Sequence, residues 1–417
     1  MMSIKDWTQI KVKEICDIGR GRVISSQEIE SRLGIYPVFS SQSQNRGEMG
    51  RIDTYDFDGE YVTWTTDGAY AGTVFYREGK FNCTNVCGTL KANSPQISME
   101  FLAYKLSTLA KNYVSYVGNP KLMNNVMANI ELSLPDNKKE QEQIADVLST
   151  IDRASAQTEA IIAKQQRIKT GLMQDLLTKG VDEHGNIRSE ATHEFKDSAI
   201  GRIPVEWKVQ GLASLLENIY QGWSPDCESH SALEDEWGVL KTTSVTWDGY
   251  DSQENKKLPS SLKPRLSLEI KKGDVLITRA GPNSRVGVIC YVYETLSKKI
   301  LSDKIYKLKF HENLDPRFFV YSLSGSASQQ YLSTLKTGMA ESQTNISQEI
   351  VKTILTVVPS AHEQSAIANL LDKNLQSCQE HLLIRNKLYL IKTGLMQDLL
   401  TGKVRVTNLL NQKAATN

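Results

Sequence analysis

The sequence predicts an α+β protein built as a tandem repeat, in which two globular domains are each followed by one long helix. The eleven residues IKTGLMQDLLT occur twice, at 168–178 and at 391–401, just over half the chain apart. The residues before each copy also align with each other at that same offset. The segments ahead of both repeats contain runs of Val, Ile, Tyr and Thr separated by glycines, which are typical of β-strands.

Length and composition are those of a globular protein of two or three domains. The chain has 417 residues, of which 40% are hydrophobic and 23% are charged. No apolar run approaches the roughly 20 residues that a membrane helix requires, and the N-terminus lacks the apolar core of a signal peptide. A cytoplasmic location is therefore expected. The six cysteines have no C-x-x-C spacing, so reduced thiols are expected rather than a zinc site.

Net charge and catalytic motifs give no positive signal. Residues 1–135 contain 14 basic and 14 acidic residues, and residues 200–358 contain 19 basic and 18 acidic residues. Any contact with phosphates must therefore come from a local patch. The sequence has no P-loop, no H-E-x-x-H, no G-x-S-x-G and no D-P-P-Y motif. The histidines form no ligand pattern, so neither catalysis nor a metal site is expected.

The first domain is predicted over residues 1–135. It opens at Trp7, and the stretch GEYVTWTTDGAYAGTVFY at 59–76 is typical of a hairpin or of adjacent strands. A helix is predicted over 99–114. A polar loop with glycine and asparagine follows, and then an apolar strand that ends at Pro135.

The first long helix is predicted over 136–180, directly after that proline. Its apolar residues recur at alternating steps of three and four, with two polar interruptions at Thr158 and Gln165, which is the pattern of a coiled-coil seam. The predicted seam positions are Ile144, Val147, Ile151, Ala154, Ile161, Ile168 and Leu172. A polar linker is predicted over 181–203.

The second domain is predicted over 204–359 and repeats the same order. It opens at Trp207, carries strand-like residues at 272–293 and a helix over 316–332, and ends at Pro359. The second long helix is predicted over 360–402, and residues 403–417 form a C-terminal tail. The seam positions of this helix are Ile367, Leu370, Ile384, Leu388, Ile391 and Leu395.

The end of each long helix has a broader apolar face than one seam requires. Each copy also carries a glycine, Gly171 and Gly394, although glycine inside a helix costs about 1 kcal/mol relative to alanine. A duplication that has not diverged explains this identity, and so does a close approach of the two helices. The alternative is that each copy docks an identical external subunit. The apolar residues concerned are Leu172, Met173, Leu176, Leu177, Leu395, Met396, Leu399 and Leu400.

Several stretches, taken in order, are specific to one protein family. They are the EQ-x-x-I-A start and the TGLMQDLLT end of each long helix, the GRIPVEW entry to the second half, GIYPVFSSQ and GDVLITRAGP. Together with the order of domains and helices, they make the whole chain resemble the DNA specificity (S) subunit of type I restriction-modification systems. The resemblance implies that each globular domain is a target recognition domain that reads one half of a bipartite DNA sequence. It further implies that the two long helices form an antiparallel coiled coil separating these domains, with pseudo-twofold symmetry.

The resemblance also implies partners. In that family, two copies of a methyltransferase (M) subunit bind around the helices, and motor-nuclease (R) subunits join the full complex. This favours docking of an external subunit at the apolar residues of the two repeats. The specificity subunit itself catalyses nothing and binds no cofactor, whereas the methyltransferase subunits would use S-adenosylmethionine. The C-terminal tail is expected to pack against the first domain.

Candidate DNA contacts lie in the polar loops next to glycines. Arg, Lys, Asn and Gln make paired hydrogen bonds with base edges, and hydroxyl groups hold phosphates. The alternative for each is an ordinary solvated loop residue, and for the tryptophan a half-buried loop anchor. Arginines of TRAGPNSR alternatively cap strand ends. The candidates in the first domain are Arg20, Arg22, Ser41, Gln42, Gln44, Asn45, Arg46, Thr65, Thr66, Tyr70, Lys121 and Asn124. Those in the second domain are Gln221, Trp223, Lys241, Thr243, Arg279, Asn283, Ser284, Arg285, Lys304, Gln343 and Asn345.

Two other functions are compatible with the sequence. One is the specificity subunit of a modification-only system, which has no nuclease partner. The other is a coiled-coil scaffold whose α+β domains bind protein, and the near-neutral charge favours this alternative. If the helices act as a rod of roughly 60 Å, their length is expected to set the number of unread bases between the half-sites.

Overall fold

The structure is a computed structural model of the chain, and it describes residues 6–41, 44–337 and 343–407. These residues form two compact units. The first unit combines the described residues of Met1–Ala160 with those of Leu383–Asn417, and the second comprises those of Ile161–Leu382. Each unit therefore contains one globular domain, the first part of one long helix and the last part of the other.

The first domain is built on a four-stranded antiparallel sheet of order β2-β9-β6-β7. A second sheet of order β4-β3-β8-β5 contains one parallel pair, β3 with β8, and β1 pairs with β10. The strands are β1 (Trp7–Lys11), β2 (Cys16–Arg20), β3 (Leu33–Phe39), β4 (Glu48–Ile52), β5 (Phe57–Asp58), β6 (Tyr61–Thr65), β7 (Val74–Arg77), β8 (Lys80–Cys83), β9 (Cys87–Ala92) and β10 (Glu131–Pro135). The short helices are α1 (Val12–Ile15), α2 (Ser26–Ser31), α3 (Met99–Leu109) and α4 (Asn124–Ala128).

The first long helix, α5 (Lys138–Thr178), lies within the range predicted for it. The segment after it, expected to be a polar linker, contains a two-stranded hairpin formed by β11 (Phe195–Ser198) and β12 (Gly201–Pro204). Regular structure thus resumes before the predicted start of the second domain at 204.

The second domain repeats the architecture of the first. Its four-stranded sheet has the order β14-β23-β19-β21, its parallel pair is β15 with β22, and β13 pairs with β25. Its remaining strands are β13 (Lys208–Gly211), β14 (Leu216–Gln221), β15 (Gly238–Leu240), β16 (Val245–Thr246), β17 (Gly249–Tyr250), β18 (Asn255–Lys257), β19 (Val275–Thr278), β20 (Ala280–Gly281), β21 (Ile289–Tyr291), β22 (Lys299–Ile300), β23 (Ile305–Phe310), β24 (Thr344–Asn345) and β25 (Leu355–Val358). Its helices are α6 (Pro316–Ser324), α7 (Ser326–Leu335) and α8 (Gln348–Thr353).

The second long helix is α9 (Ala361–Leu399), as predicted. The α+β class, with two sheet-containing domains and two long helices, is confirmed. The helix predicted over 316–332 is instead two helices, α6 and α7. They meet at Gly325, where the backbone is extended (φ −65°, ψ 153°).

Within each unit the two long helices pair in antiparallel fashion. In the first unit, Lys392 Nζ lies 2.5 Å from Asp152 Oδ1, and Arg405 Nε lies 2.6 Å from Glu140 Oε1. In the second unit, Gln165 Nε2 donates to Ser377 Oγ at 2.7 Å, and the backbone N–H of Val181 donates to Glu363 Oε1 at 3.0 Å. In both units, residues later along one long helix segment contact residues earlier along the other, which is the antiparallel arrangement.

The start of each long helix is buried in its own domain. Ile144, Ala145 and Leu148 of α5 lie in the core of the first unit, and Ile367, Ala368 and Leu371 of α9 occupy the aligned positions in the core of the second. Each buried isoleucine or leucine side chain contributes about 1.5–3 kcal/mol. The apolar starts of the helices therefore anchor them to the sheets.

The glutamine in each EQ pair explains part of the sequence repeat. Gln141 accepts from the backbone N–H of Ser98, the N-cap of α3, at 2.9 Å and donates to the Pro135 carbonyl at 2.8 Å. Gln364 accepts from the backbone N–H of Asp315 at 3.0 Å and donates to the Pro359 carbonyl at 2.9 Å. Both glutamines thus tie a long helix to the N-terminus of its domain's helix.

Five predicted seam residues were placed wrongly. Ile161 and Ile168 are 43% and 42% exposed, Leu370 is 43% exposed, and Ile384 and Ile391 are 48% and 39% exposed. Ile162 is buried instead. The polar interruptions predicted in the seam do face inward, since Thr158 is buried and Gln165 donates to Ser377 of the other helix. Because a straight helix has 3.6 residues per turn rather than 3.5, a strict heptad drifts around its surface over this length.

In the part of the chain that the structure describes, no helix is both long and apolar enough to cross a membrane.

Candidate nucleic-acid interface

In the first domain, half of the predicted DNA contacts lie at one edge of the four-stranded sheet. β2 ends at Arg20 opposite Gly88, and β6 ends at Thr65 opposite Cys87, where β9 begins. The segments that follow β2 and β6, and those that lead into β9 and α4, therefore meet at this edge. We call residues 20–22, 66–70, 84–86 and 115–124 the first loop edge.

Arg20 and Arg22 are already engaged by carboxylates. Arg20 Nη2 donates to Thr66 Oγ1 at 3.0 Å and to Asp67 Oδ2 at 3.1 Å. Arg22 pairs with Glu28 at 2.8 Å and Asp56 at 2.9 Å, and the hydrogen bond with Glu28 raises the pKa of Arg22. The two arginine side chains are 37% and 40% exposed. Their guanidinium groups are held in fixed orientations while part of each remains accessible to a ligand.

The glycine between these arginines permits a close backbone approach. A Cβ atom at Gly21 would lie 2.2 Å from the carbonyl oxygen of Cys83, and the backbone N–H of Arg22 donates to that same oxygen at 3.1 Å. In the second domain, a Cβ at Gly222 would lie 2.1 Å from the carbonyl oxygen of Leu301. The two domains therefore share one backbone arrangement after their first sheet strand.

The loop after β3 carries strained, exposed residues. Asn45 and Arg46 have left-handed backbone conformations, with φ of 48° and 54°, and both are exposed. Arg77 donates to the carbonyl of Arg46 at 2.6 Å, and its guanidinium carbon lies 3.5 Å from the ring centroid of Phe39. Burial lowers the pKa of Arg77 to about 10. Strain of this kind concentrates at functional loops.

The structure places the other first-domain candidates unequally. Ser41 is half-buried, while Tyr70 and Lys121 are exposed. Asn124 donates to the Gly19 carbonyl at 3.1 Å, and its buried Oδ1 has no hydrogen-bond partner. Gln42 lies outside the described residues, as does the side chain of Gln44.

The predicted DNA contacts at Thr65 and Thr66 are wrong for these side chains as folded here. Thr65 is 2% exposed and Thr66 is fully buried. Thr65 is the last residue of β6, and the Thr66 hydroxyl accepts from Arg20 and donates to Asp67 at 2.6 Å. Thr66 orients Arg20 and Asp67 but is not itself accessible.

The second domain has an equivalent edge. β14 ends at Gln221 opposite Tyr306, and β19 ends at Thr278 opposite Ile305. Gln221 is exposed. Trp223 is half-buried against the domain's second hydrophobic cluster, and the guanidinium carbon of Arg265 lies 4.4 Å from its ring centroid. This supports the alternative in which Trp223 anchors its loop.

Two predicted arginines of the second domain hold loop carbonyls. Arg279 Nη1 donates to the Asp303 carbonyl at 3.2 Å. Arg285 Nη2 donates to the carbonyls of Thr242 at 2.6 Å and Val245 at 2.9 Å. Both arginines therefore brace the loops, in agreement with the alternative that they cap strand ends.

The remaining candidates of the second domain are mostly accessible. Lys304 has a side chain that is 56% exposed and lies 4.0 Å from Asp303. Lys241 lies 3.6 Å from Glu254, to which Thr243 also donates a hydrogen bond. Asn345 accepts from the Thr337 hydroxyl at 3.1 Å. Asn283, Ser284 and Gln343 are exposed.

Sequence reasoning missed three exposed residues of the first loop edge. Asn85 is exposed in the turn between β8 and β9. Tyr116 and Val117 are 71% and 93% exposed, in the loop that also contains the predicted contact Lys121. The available signal was the Gly-Asn-Pro turn directly after them, which indicates an exposed loop tip.

Among the described residues, no group of three or more His, Cys, Asp and Glu side chains is arranged to hold a metal ion. The six cysteines are free thiols. Burial raises the pKa of the Cys16 thiol, with Asp17 as the next cause, to about 12.

Three of the eight predicted docking residues are covered by the chain's own cores. Leu176 is fully buried, and Leu399 and Leu400 are 4% and 1% exposed. They are therefore not available to a partner as folded here, because the chain's own domains already use this broad apolar face. Half-buried against the same cores are Leu172, Met173, Leu177, Leu395 and Met396.

A different set of repeat positions faces outward. On α5 it consists of Ile161, Ile168 and Gly171, and on α9 of the aligned Ile384, Ile391 and Gly394. The four isoleucines are 39% to 48% exposed, and a Cβ atom at either glycine would meet no atom within 4 Å. Close approach of the two long helices therefore does not explain the glycines. We call these two sets the helix stripes.

Comparison with known proteins gives matches along the chain. The model of the type I restriction modification DNA specificity domain matches residues 4–167. The N-terminal specificity-subunit protein S.MpnORF289P of Mycoplasma pneumoniae is 54% identical over 150 residues, which is 36% of this chain and 78% of that protein. The specificity subunit of the type I restriction enzyme MpnII of the same organism is 48% identical over 144 residues, 34% of this chain and 43% of that one.

The more distant matches extend this result. The specificity subunit of the type I restriction enzyme EcoEI of Escherichia coli is 39% identical over 182 residues, which is 43% of this chain and 30% of that protein. This chain thus aligns with less than two thirds of the length of several relatives. The crystal structure of the S subunit of a type I restriction-modification system from M. genitalium has a TM-score of 0.68 at 16% identity and covers 96% of this chain and 98% of that one. This similarity shows that the fold is shared.

Proposed function

Because this chain belongs to the family of type I restriction-modification DNA specificity subunits, we propose that it selects a bipartite DNA sequence for a methyltransferase. Each globular domain would act as a target recognition domain and read one half-site. The bases between the half-sites would not be read.

The observation that carries the proposal is that one scaffold is used twice with different side chains. Both domains have a four-stranded sheet of the same strand order, with loops gathered at the same edge. After the first strand of this sheet, the first domain has Arg20 and Arg22, whereas the second has Gln221 and Trp223. A shared scaffold with different loop residues is suited to reading two different sequences.

The chemistry of the exposed residues fits base-edge recognition. Arginine donates two hydrogen bonds to guanine O6 and N7, and glutamine or asparagine pairs with adenine N6 and N7 in the major groove. Arg20, Asn45, Arg46 and Gln221 supply such groups from loops. Lys121 and Lys304 supply exposed positive charges for phosphates.

We further propose that the helix stripes dock two methyltransferase subunits. The same two isoleucines and one glycine recur outward on both long helices, and two equivalent surfaces can bind two identical partners. An exposed helix glycine is costly alone but permits a partner's backbone to approach closely. These residues replace the buried leucines of the original prediction. The methyltransferase subunits would bind S-adenosylmethionine, this chain would bind no cofactor, and motor-nuclease subunits would complete a restriction complex.

The proposal is tested by mapping N6-methyladenine in the DNA of cells with and without this gene, expressed together with its methyltransferase. A bipartite methylated motif that appears only with the gene is expected. In vitro, the complex should retard a duplex carrying that motif, with an affinity that falls steeply as salt rises. Exchanging the bases of one half-site should abolish the preference, and exchanging the spacer bases should not.

The scaffold alternative makes the opposite prediction. If the domains bind protein rather than DNA, the complex will show no sequence preference in the same assay, and no methylated motif will depend on the gene. A modification-only system, in contrast, would give the motif without cleavage of unmethylated DNA.

A further inference from the structure

A short loop of the first domain presents two apolar side chains to solvent. It runs from Ser115 to Lys121, between α3 and α4. Tyr116 is 71% exposed and Val117, beside it, is 93% exposed. Single apolar residues on a surface need no explanation, but two adjacent ones at a loop tip do, because none of the residues that the structure describes covers either of them.

The base of this loop is firmly held. The backbone N–H groups of Ser115 and Lys121 donate to each other's carbonyls, both at 2.9 Å. Gly118, with φ of 76°, makes the turn at the tip. Below the base, Leu122 is fully buried and its carbonyl accepts from Trp64 Nε1 at 2.9 Å. The tip is therefore carried on a rigid support.

The loop belongs to the first loop edge. The backbone N–H of Leu122 donates to the Thr66 carbonyl at 2.8 Å, and that of Gly68 donates to the Pro120 carbonyl at 3.0 Å. Asp67 and Lys121 form an antiparallel bridge. Since Arg20 donates to Asp67, the apolar tip and this arginine are attached to the same short segment.

The charges near the tip favour DNA over a protein as the occupant. Lys121 is exposed at the base of the loop, and Asp67, which is bridged to it along the backbone, is already paired with Arg20 at 3.1 Å. A polyanion is attracted to such a surface. Proteins that contact a duplex in this way insert apolar side chains between base steps and hold the adjacent phosphates with cations.

We infer that Tyr116 and Val117 form a wedge that enters the duplex at the half-site read by the first domain and partly unstacks one base step. This inference rests on the proposed function and deepens it, because it specifies a distortion of the DNA as part of recognition. Sequence preference at this half-site then includes a preference for base steps that open easily, such as pyrimidine–purine steps.

The second domain has an equivalent loop base. The backbone N–H groups of Thr337 and Asn345 donate to each other's carbonyls at 3.0 and 2.7 Å. Its tip lies outside the described residues. The inference therefore concerns the first half-site alone.

The test uses the complex of the full chain with its methyltransferase subunits and a duplex containing the methylated motif. The variant Y116A/V117S removes the wedge. The matched control is Leu33→Ser, which removes an apolar side chain that is 77% exposed on β3 of the same domain. Affinity is measured by competition. Unstacking is measured with 2-aminopurine placed in turn at each step of the first half-site.

In the wild-type complex, fluorescence should rise at one step of the first half-site. Y116A/V117S should lose this signal and bind the motif about tenfold or more weakly, whereas Leu33→Ser should match wild type. Unchanged affinity and fluorescence in Y116A/V117S would overturn the inference. Loss of the methyltransferase subunits from this variant in size-exclusion chromatography would also overturn it, because the tip would then be a protein contact.

The proposed function and the wedge can be refuted separately. If the wild-type complex prefers a bipartite motif and the variant behaves like wild type, only the wedge is wrong. If the wild-type complex has no sequence preference, the proposed function is wrong and the wedge is wrong with it.

Discussion

At the scale of single residues, the glutamate of each EQ pair locks the end of one long helix to the start of the other. Glu140 is 2% exposed and accepts from Arg405 at 2.6 and 2.7 Å. Its repeat equivalent, Glu363, is 7% exposed and accepts from Arg188 and from Trp207 Nε1 at 3.0 Å. Each arginine follows a copy of TGLMQDLLT. The two copies of the repeat therefore share this glutamate–arginine contact as well as the outward-facing helix stripes.

Removing this glutamate should destabilise its unit. Glu140→Ala removes the buried carboxylate to which Arg405 donates. Breaking a buried pair costs about 3–5 kcal/mol, and the loss here should lie at the lower end because the Arg405 side chain is 26% exposed. The loss is measured as a change in the free energy of unfolding in urea. Hydrogen exchange of the first domain reports this unfolding. Glu142→Ala is the control, because Glu142 is 52% exposed and lies 3.6 Å from Lys138, where a surface pair contributes under about 1 kcal/mol. Equal effects of the two substitutions would contradict the lock.

A buried lysine should make stability depend on pH. Lys105 is 8% exposed, donates to the Leu400 carbonyl at 2.5 Å, and has its pKa lowered by burial to about 8. Between pH 8 and the higher pKa of the unfolded chain, the unfolded state binds more protons than the folded one. The contribution of Lys105 to the free energy of unfolding should therefore rise as the pH is raised from 8 to 10, while buried thiols such as Cys16, whose pKa is raised, contribute in the opposite direction. Relative to Lys105→Met, the wild-type chain should therefore gain stability over this range, and equal slopes in the two proteins would refute the assignment.

Residue-level predictions from the sequence succeeded for loops and failed for single side chains. Arg20, Arg22, Lys121 and Asn124 do meet at one sheet edge, because glycines and polar residues mark where strands end. The prediction that Thr66 contacts DNA was wrong, because β6 passes into its loop at TTDG. The sequence of this segment does not show which hydroxyl group is buried. The carboxylate partners of the arginines come from distant segments, so the sequence alone could not pair them.

At the scale of elements, the long helices were the most predictable part of the chain. Periodicity, the preceding prolines and the repeat located α5 and α9 to within a few residues. The side facing inward was assigned wrongly at Ile161 and Ile168, because a strict heptad drifts around a straight helix of this length. The polar positions Thr158 and Gln165 were assigned to the seam correctly. The two sheets were less predictable, since their strand order depends on pairings distant in sequence.

The helix stripes yield a prediction at this scale. Gly171→Ala and Gly394→Ala should each stabilise the free chain by about 1 kcal/mol, since each added methyl group meets open space. If a methyltransferase backbone approaches there, the same substitutions should weaken its binding. Thermal unfolding of the chain and titration calorimetry with the methyltransferase subunit measure the two effects. Unchanged binding would exclude the glycines from the docking surface, and Ser149→Ala on the same helix is the control.

At the scale of the whole molecule, each compact unit is assembled from both halves of the sequence. The tandem repeat predicted two domains. It did not predict that the end of the second long helix packs in the first unit, because a repeat does not show which domain core each helix end joins. Val406, buried at 4% exposure in the first unit, agrees with the prediction that the tail packs against the first domain.

The proposed function makes the paired helices a ruler. One heptad inserted after Ala160 and another after Leu382 preserves the antiparallel register and adds roughly 10 Å. The tolerated spacer should then lengthen by about three base pairs at 3.4 Å each, and the half-site bases should stay the same. Methylation mapping gives both quantities. A heptad inserted in α5 alone is the control, since it breaks pairs such as Gln165 with Ser377. Changed half-sites with an unchanged spacer would refute the ruler.

The exchange of helix ends also sets an order for biosynthesis. Every residue of the second unit lies between Ile161 and Leu382, whereas the first unit needs Leu399, Leu400 and Val406 to complete its core. During synthesis, the core of the first domain stays incomplete while roughly 250 further residues are made, which takes tens of seconds at about 5–20 residues per second. The domain that is translated first is therefore the last to be finished.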